Sequence, residues 1–122
     1  MTIITTRELA SETWSEYFDA VSRELLHAPT SIEVVDSSGP ATVEAERLAL
    51  HAVTYDHRDD VFEIAVAKGG PHLPAVLRHV VDHPARVEVD NHTMLAPMTI
   101  AVDGRDGVRT TIRIEYDPDF SG

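Results

Sequence analysis

The sequence predicts an α+β domain. An N-terminal amphipathic helix is followed by a curved, mainly antiparallel sheet of five to seven strands, all in one domain over residues 1–122. Three observations carry that expectation. Trp14, Phe18, Val21 and Leu25 recur at helical spacing. From Ile32 onward the apolar residues alternate with polar ones instead. The stretch from Val43 to Tyr55 keeps that alternation but changes its phase, which requires a strand that bends.

Ser11 stands where a helix N-cap belongs, with Glu12 and Glu16 at the positive end of the macrodipole. The helix is expected to run to about His27 and to stop before Pro29, which lacks a donor and restricts its predecessor. Trp14 and Phe18 share one stripe, so both are assigned to a core. Ile32 and Val34 then alternate with Ser31 and Glu33, up to the turn cluster Asp36-Ser37-Ser38-Gly39-Pro40.

In the next strand the apolar phase is odd at Val43 and Ala45, even at Leu48 and Leu50, and odd again at Val53 and Tyr55. One bulge or bend is therefore expected near Arg47 and another near Ala52. A charged turn, Asp56-His57-Arg58-Asp59-Asp60, leads into Val61 through Ala67, where only Glu63 interrupts an apolar run. That run reads as a strand in the middle of the sheet. Residues 72–83 are ambiguous, because Leu73, Val76, Leu77 and Val80 suit a helix while Val76 to Val81 is also rich in β-branched residues. A short helix or turn entering a short strand is expected there. Val87 and Val89 mark another strand. Met98, Ile100 and Val102, the turn Asp103 to Gly107, and Val108, Thr110, Ile112, Ile114 and Tyr116 form a final hairpin, ahead of a frayed tail.

This order of elements fits an Sm-like or SH3-like small barrel, in which one bent strand serves both halves. An open antiparallel sheet with the helix on one face fits it equally well. Fold alone assigns no function.

Composition narrows the partners. Net charge is −11 with His neutral, and one Lys and nine Arg are scattered among 21 acids. Phosphate-rich polymers and anionic membranes need clustered cations, so nucleic acid and membrane surfaces are disfavoured partners. With no cysteine, disulfides and thiolate chemistry are excluded, which suits a cytoplasmic address. The first residues show no signal-peptide pattern, and no stretch approaches the ~18 apolar residues of a membrane span.

The ordered features resemble a small bacterial family catalogued only as a domain of unknown function. The matching pieces are Arg7-Glu8, Glu12-Thr13-Trp14 with Tyr17-Phe18-Asp19 and Ser22-Arg23, Ile32-Glu33-Val34, the run from Leu50 through Tyr55-Asp56 to Asp59-Asp60-Val61-Phe62-Glu63-Ile64, and His79 with Pro84 and Val87-Glu88-Val89. The resemblance implies no activity, cofactor or catalytic residue.

Candidate chemistry is sparse. His79 and His83, with His72 or His92 as a third donor, have spacing that could ligate a divalent metal, yet no His-Glu-x-x-His pattern accompanies them. Without ligation they are surface or capping histidines. Asp56, Asp59 and Asp60 could bind a cation, and His57 with Asp60 could form an acid–base pair, against the plainer reading of a solvated turn. Glu63 would mark a site if buried, and is otherwise a sheet-face residue paired across strands with an Arg. No phosphate-binding loop or nucleophile elbow is present, and no cofactor is expected. Three functions compete: a non-enzymatic interaction module or homo-oligomer whose acidic surface meets basic protein partners, a metal- or small-ligand-dependent protein using His79 and His83, and an Sm-like RNA binder.

Overall fold

A computed structural model of the chain describes residues 6–68, 75–90 and 98–115. Over these residues the chain forms β1 (Thr6–Glu8), a 3-10 turn (Ser11–Thr13), α1 (Trp14–Glu24), β2 (Pro29–Val35), β3 (Thr42–Asp56) and β4 (Val61–Lys68), then β5 (Ala75–Asp82), β6 (Pro84–Asp90), β7 (Met98–Gly104) and β8 (Arg109–Ile114). All strands join one antiparallel sheet in the order β1-β6-β7-β8-β2-β3-β4-β5. The α+β class stands, but the sheet is larger than the five to seven strands expected. The extra strand is β1, whose three residues pair with Glu88, Val89 and Asp90 and are too few to show a period.

Residues 75–82 hold no helix. Every one of them has a ladder partner on β4, from Ala75 opposite Lys68 to Asp82 opposite Val61. Long-range pairing thus decides a segment whose local preferences conflict. Residues 69–74, including Gly69, Gly70 and Leu73, lie outside the described residues, as do His72, His92, Tyr116 and the tail.

The helix differs from expectation at both ends. Ser11 opens a 3-10 turn and makes no side-chain cap; Thr13 Oγ1 instead donates to the Ala10 carbonyl at 2.7 Å. α1 ends at Glu24, before Pro29 can act, and His27 takes a left-handed φ of 71° that turns the chain toward β2. Pro29 opens that strand. The stripe itself holds, since Trp14, Phe18 and Val21 are buried and Leu25 partly so.

β3 bends where its phase slips. Arg47 has φ 50°, and an extra residue lies between Leu48, opposite Thr30, and Ala45, opposite Ile32. A second shift falls between Leu50 and Ala52. A third was hidden by parity. Val43 pairs with Glu33 while Ala45 pairs with Ile32, so the extra residue between them sends Val43 to the outer face, 61% exposed, and Ala45 into the core, 4% exposed.

These bends let β3 change partners. Its first half pairs with β2 and its second half with β4. The backbone edge that β2 leaves along the second half is taken over by α1 and its exit. Ser22 Oγ donates to the Val53 carbonyl at 2.7 Å and accepts from the Val53 N–H at 2.9 Å, while the Leu50 N–H donates to the Ala28 carbonyl. Side chains complete the seam, with Phe18 edge-on to Phe62 at 5.1 Å and Trp14 edge-on to Tyr55 at 5.0 Å. Each such aromatic pair adds about 1 kcal/mol beyond its burial.

A second change of partner occurs at His83, the single residue between β5 and β6, which holds φ 53°. The sheet curls enough that His79, on edge strand β5, reaches Thr110 on β8. One core results, joining α1 to residues from β2, β3, β4, β5, β6, β7 and β8.

Candidate functional site

The curled sheet leaves a groove of about 430 Å³ on its outer face, over β2, β3, β7 and β8. Strand alternation builds it. Ile32, Ile100, Ile112 and Ile114 point into the core, so their neighbours Ser31, Glu33, Thr99, Thr111 and Arg113 point out. Register aligns Thr99, Arg113 and Ser31 in one cross-strand row, and Thr111, Glu33 and Val43 in the next. The floor is therefore hydroxyl-bearing and shallow, with Val43 turned onto it by the hidden bulge. Glu46 lines the groove from the bulged stretch of β3, where Ser31 Oγ accepts the Arg47 N–H at 3.0 Å.

Charge in the groove is unbalanced. Glu33 and Glu46 are exposed and have no ion pair among the described residues. Six of the nine arginines are already committed: Arg47 and Arg113 to Glu115, Arg78 to Glu63, Arg86 to Glu8 and Glu88, Arg109 to Asp103 and Glu88, and Arg105 near Asp60. Exposed pairs of this kind contribute little stability. They do decide where negative charge is left over.

A second constellation joins three turns. Tyr55 at the end of β3 donates its hydroxyl to Asp60 Oδ1 at 2.6 Å, and Asp60 Oδ2 lies 3.2 Å from His83 Nδ1 and 4.0 Å from Arg105. The backbone follows the same route, from the His83 N–H to the Asp60 carbonyl and from the Arg105 N–H to the His83 carbonyl. Burial, aided by the Asp60 hydrogen bond, pushes the Tyr55 phenol up to about 12. The hydrogen bonds from Tyr55 and then His83 hold the Asp60 carboxyl below its usual range. Tyr55 is thus a fixed donor at neutral pH, and the cluster acts as a corner brace.

His79 and His83 are not brought to one point. His79 faces inward, with Nε2 3.0 Å from Thr110 Oγ1, and its burial pushes its pKa down against the opposing charge of Glu44. His83 serves the corner. No group of three His, Asp or Glu residues suited to a metal is present among the described residues. Glu63 lies at a partly open face, its Oε1 accepting from Arg78 Nη1 at 2.6 Å. Asp56 closes its own turn by accepting the Arg58 N–H, and His57 is exposed beside it.

Tyr55, Arg105, Thr110 and the pair Glu33 and Glu46 are absent from the sequence-derived candidates. The run Glu44-Ala45-Glu46 was the available signal for the groove, since the bulge that turns Val43 outward leaves the apolar parity unchanged. Asp60 and His83 stand among those candidates, but nothing local joins them, because the corner's members come from three separate turns.

A family described as "Family of unknown function (DUF5335)" matches residues 5–119. A relative called "Uncharacterized protein", from Aquifex aeolicus (strain VF5), is 33% identical over 110 residues, which cover 90% of this chain and 92% of the relative. No solved structure matches.

Proposed function

The chain belongs to this family of unknown function, and on that footing we propose that it is a non-enzymatic protein-interaction module that receives a lysine- or arginine-bearing segment of a partner in the groove over β2, β3, β7 and β8. The observation that carries this reading is the pair Glu33 and Glu46, without an ion pair among the described residues, in a groove whose one lining cation, Arg113, is turned to Glu115 and whose floor is Val43 and small hydroxyl residues. Such a surface offers carboxylates to a cation and shallow apolar contact to its aliphatic stem. The net charge of −11 steers basic partners toward the protein and repels phosphate polymers. The curled sheet with its bent β3 is compatible with a small barrel of Sm-like or SH3-like plan, and a cytoplasmic setting suits a chain without cysteine. Neither carries the functional reading.

Fluorescence anisotropy with a labelled synthetic peptide of alternating lysine and valine tests it. Binding is expected to weaken about tenfold, or 1.4 kcal/mol, in the Glu33→Gln/Glu46→Gln variant. It should be unchanged in Glu12→Gln/Glu16→Gln, which removes the same charge from the exposed side of the helical segment. Equal loss in both variants would reduce the effect to bulk charge and overturn the assignment.

A further inference from the structure

We propose that two copies of the chain pair antiparallel along β5, with a twofold axis at Arg78. β5 is an edge: β4 covers one side of all eight of its residues, and no strand among the described residues covers the other. An open edge of that length is a template for another strand unless it is protected. The opposite edge is protected, because β1 has only three residues and two of them are Arg7 and Glu8. β5 lacks such protection. It carries the exposed Val76 and Val80, and its central charge, Arg78, is already held by Glu63 at 2.6 Å.

The spacing of the outward residues selects the partner and the register. Val76 and Val80 stand on one face, 39% and 46% exposed, two residues to either side of Arg78. A twofold axis at Arg78 therefore sets Val76 of each copy opposite Val80 of the other, burying both pairs. Cross-strand pairs of β-branched residues are among the stabilising ones. The two Arg78 guanidinium groups meet at the axis with a Glu63 carboxylate on each side, so the four charges balance. A register centred on Val80 would place Arg78 opposite Asp82, but it would push the second copy into the corner where the His83 carbonyl is bonded to the Arg105 N–H. The axis at Arg78 keeps the new strand on the open part of the edge. The interface is isologous and closes on itself as a dimer.

Because the chain has no cysteine, single introduced cysteines report the register. Mild oxidation of Arg78→Cys is expected to give a disulfide dimer, since directly opposed Cβ atoms come within about 5 Å. An equimolar mixture of Val76→Cys and Val80→Cys should cross-link far more than either alone. Unmodified protein should sediment at twice the 13.4 kDa chain mass, and Val80→Lys should sediment as a monomer with unchanged circular dichroism. The proposal is overturned if unmodified protein sediments at 13.4 kDa across a concentration series. It is equally overturned if Arg78→Cys cross-links no faster than the exposed-turn control Ser37→Cys, or if Val80→Cys alone is the efficient cross-linker. The groove over β2 and β3 is not part of this edge, so peptide binding and dimerisation fail separately.

Discussion

Asp60 and His83 are joined twice, once through the His83 N–H and the Asp60 carbonyl at 2.8 Å and once through their side chains at 3.2 Å, and both hold a left-handed backbone, with φ 54° and 53°. Two non-glycine residues in that region face each other across the corner that turns β5 into β6. The arrangement persists because each supplies the other's partner.

Asp60→Asn should therefore be milder than Asp60→Ala, since Asn tolerates the left-handed region and still offers a carbonyl to Tyr55. Thermal melts at neutral pH should rank wild type above Asn and Asn above Ala. The pH dependence follows from the lowered Asp60 pKa. The unfolded carboxyl titrates near 3.8 and the folded one below it, so this stabilisation is complete above that value and is lost as pH falls through the folded pKa. Asp60→Asn should flatten the acid limb of the stability curve; an unchanged limb would show that the brace contributes nothing.

Tyr55→Phe removes one hydrogen bond while keeping the ring against Trp14. The expected cost is about 1 kcal/mol, a fall in melting temperature of roughly 4 °C. The folded phenol titrates at about 12 against 10.0 unfolded, so the wild-type protein loses stability as pH rises from 10 toward 12. Denaturant titrations over that range should find the slope reduced in the variant.

His79 gives the opposite behaviour on the acid side. Burial lowers its folded pKa below 6.5, so the native state favours the neutral ring; the contribution is full above 6.5 and falls as pH drops below it. His79→Gln should remove that slope, as read by urea midpoints across the interval. A slope that survives in the variant would assign it to another histidine.

Ser22→Ala should cost about 2 kcal/mol, because one hydroxyl serves both the N–H and the carbonyl of Val53 along the edge that β2 leaves. Hydrogen exchange at the Val53 amide should accelerate more than at Ile64, which pairs with His79 in the β4–β5 ladder. Equal acceleration at both would mean global destabilisation only.

What the sequence determined by itself was whatever repeats locally: the stripe Trp14, Phe18 and Val21, the alternation of β7 and β8, and the phase slips near Arg47 and Ala52 that β3 realises as bulges. Each is set by residues within a few positions of one another, where periodicity reports which side faces a core. The tertiary structure alone decided that the strand expected within this segment takes in all of residues 75–82 with no helix among them, since helix and strand preferences balance there and pairing with β4 breaks the tie. It also decided that Val43 faces out, because an inserted residue leaves the parity of neighbouring apolar positions intact while reversing their faces. The corner and the groove belong to the same class. Tyr55, Asp60, His83 and Arg105 come together across three turns, and Glu33 and Glu46 come to line one groove only once the sheet curls, so their placement depends on contacts far apart in the chain.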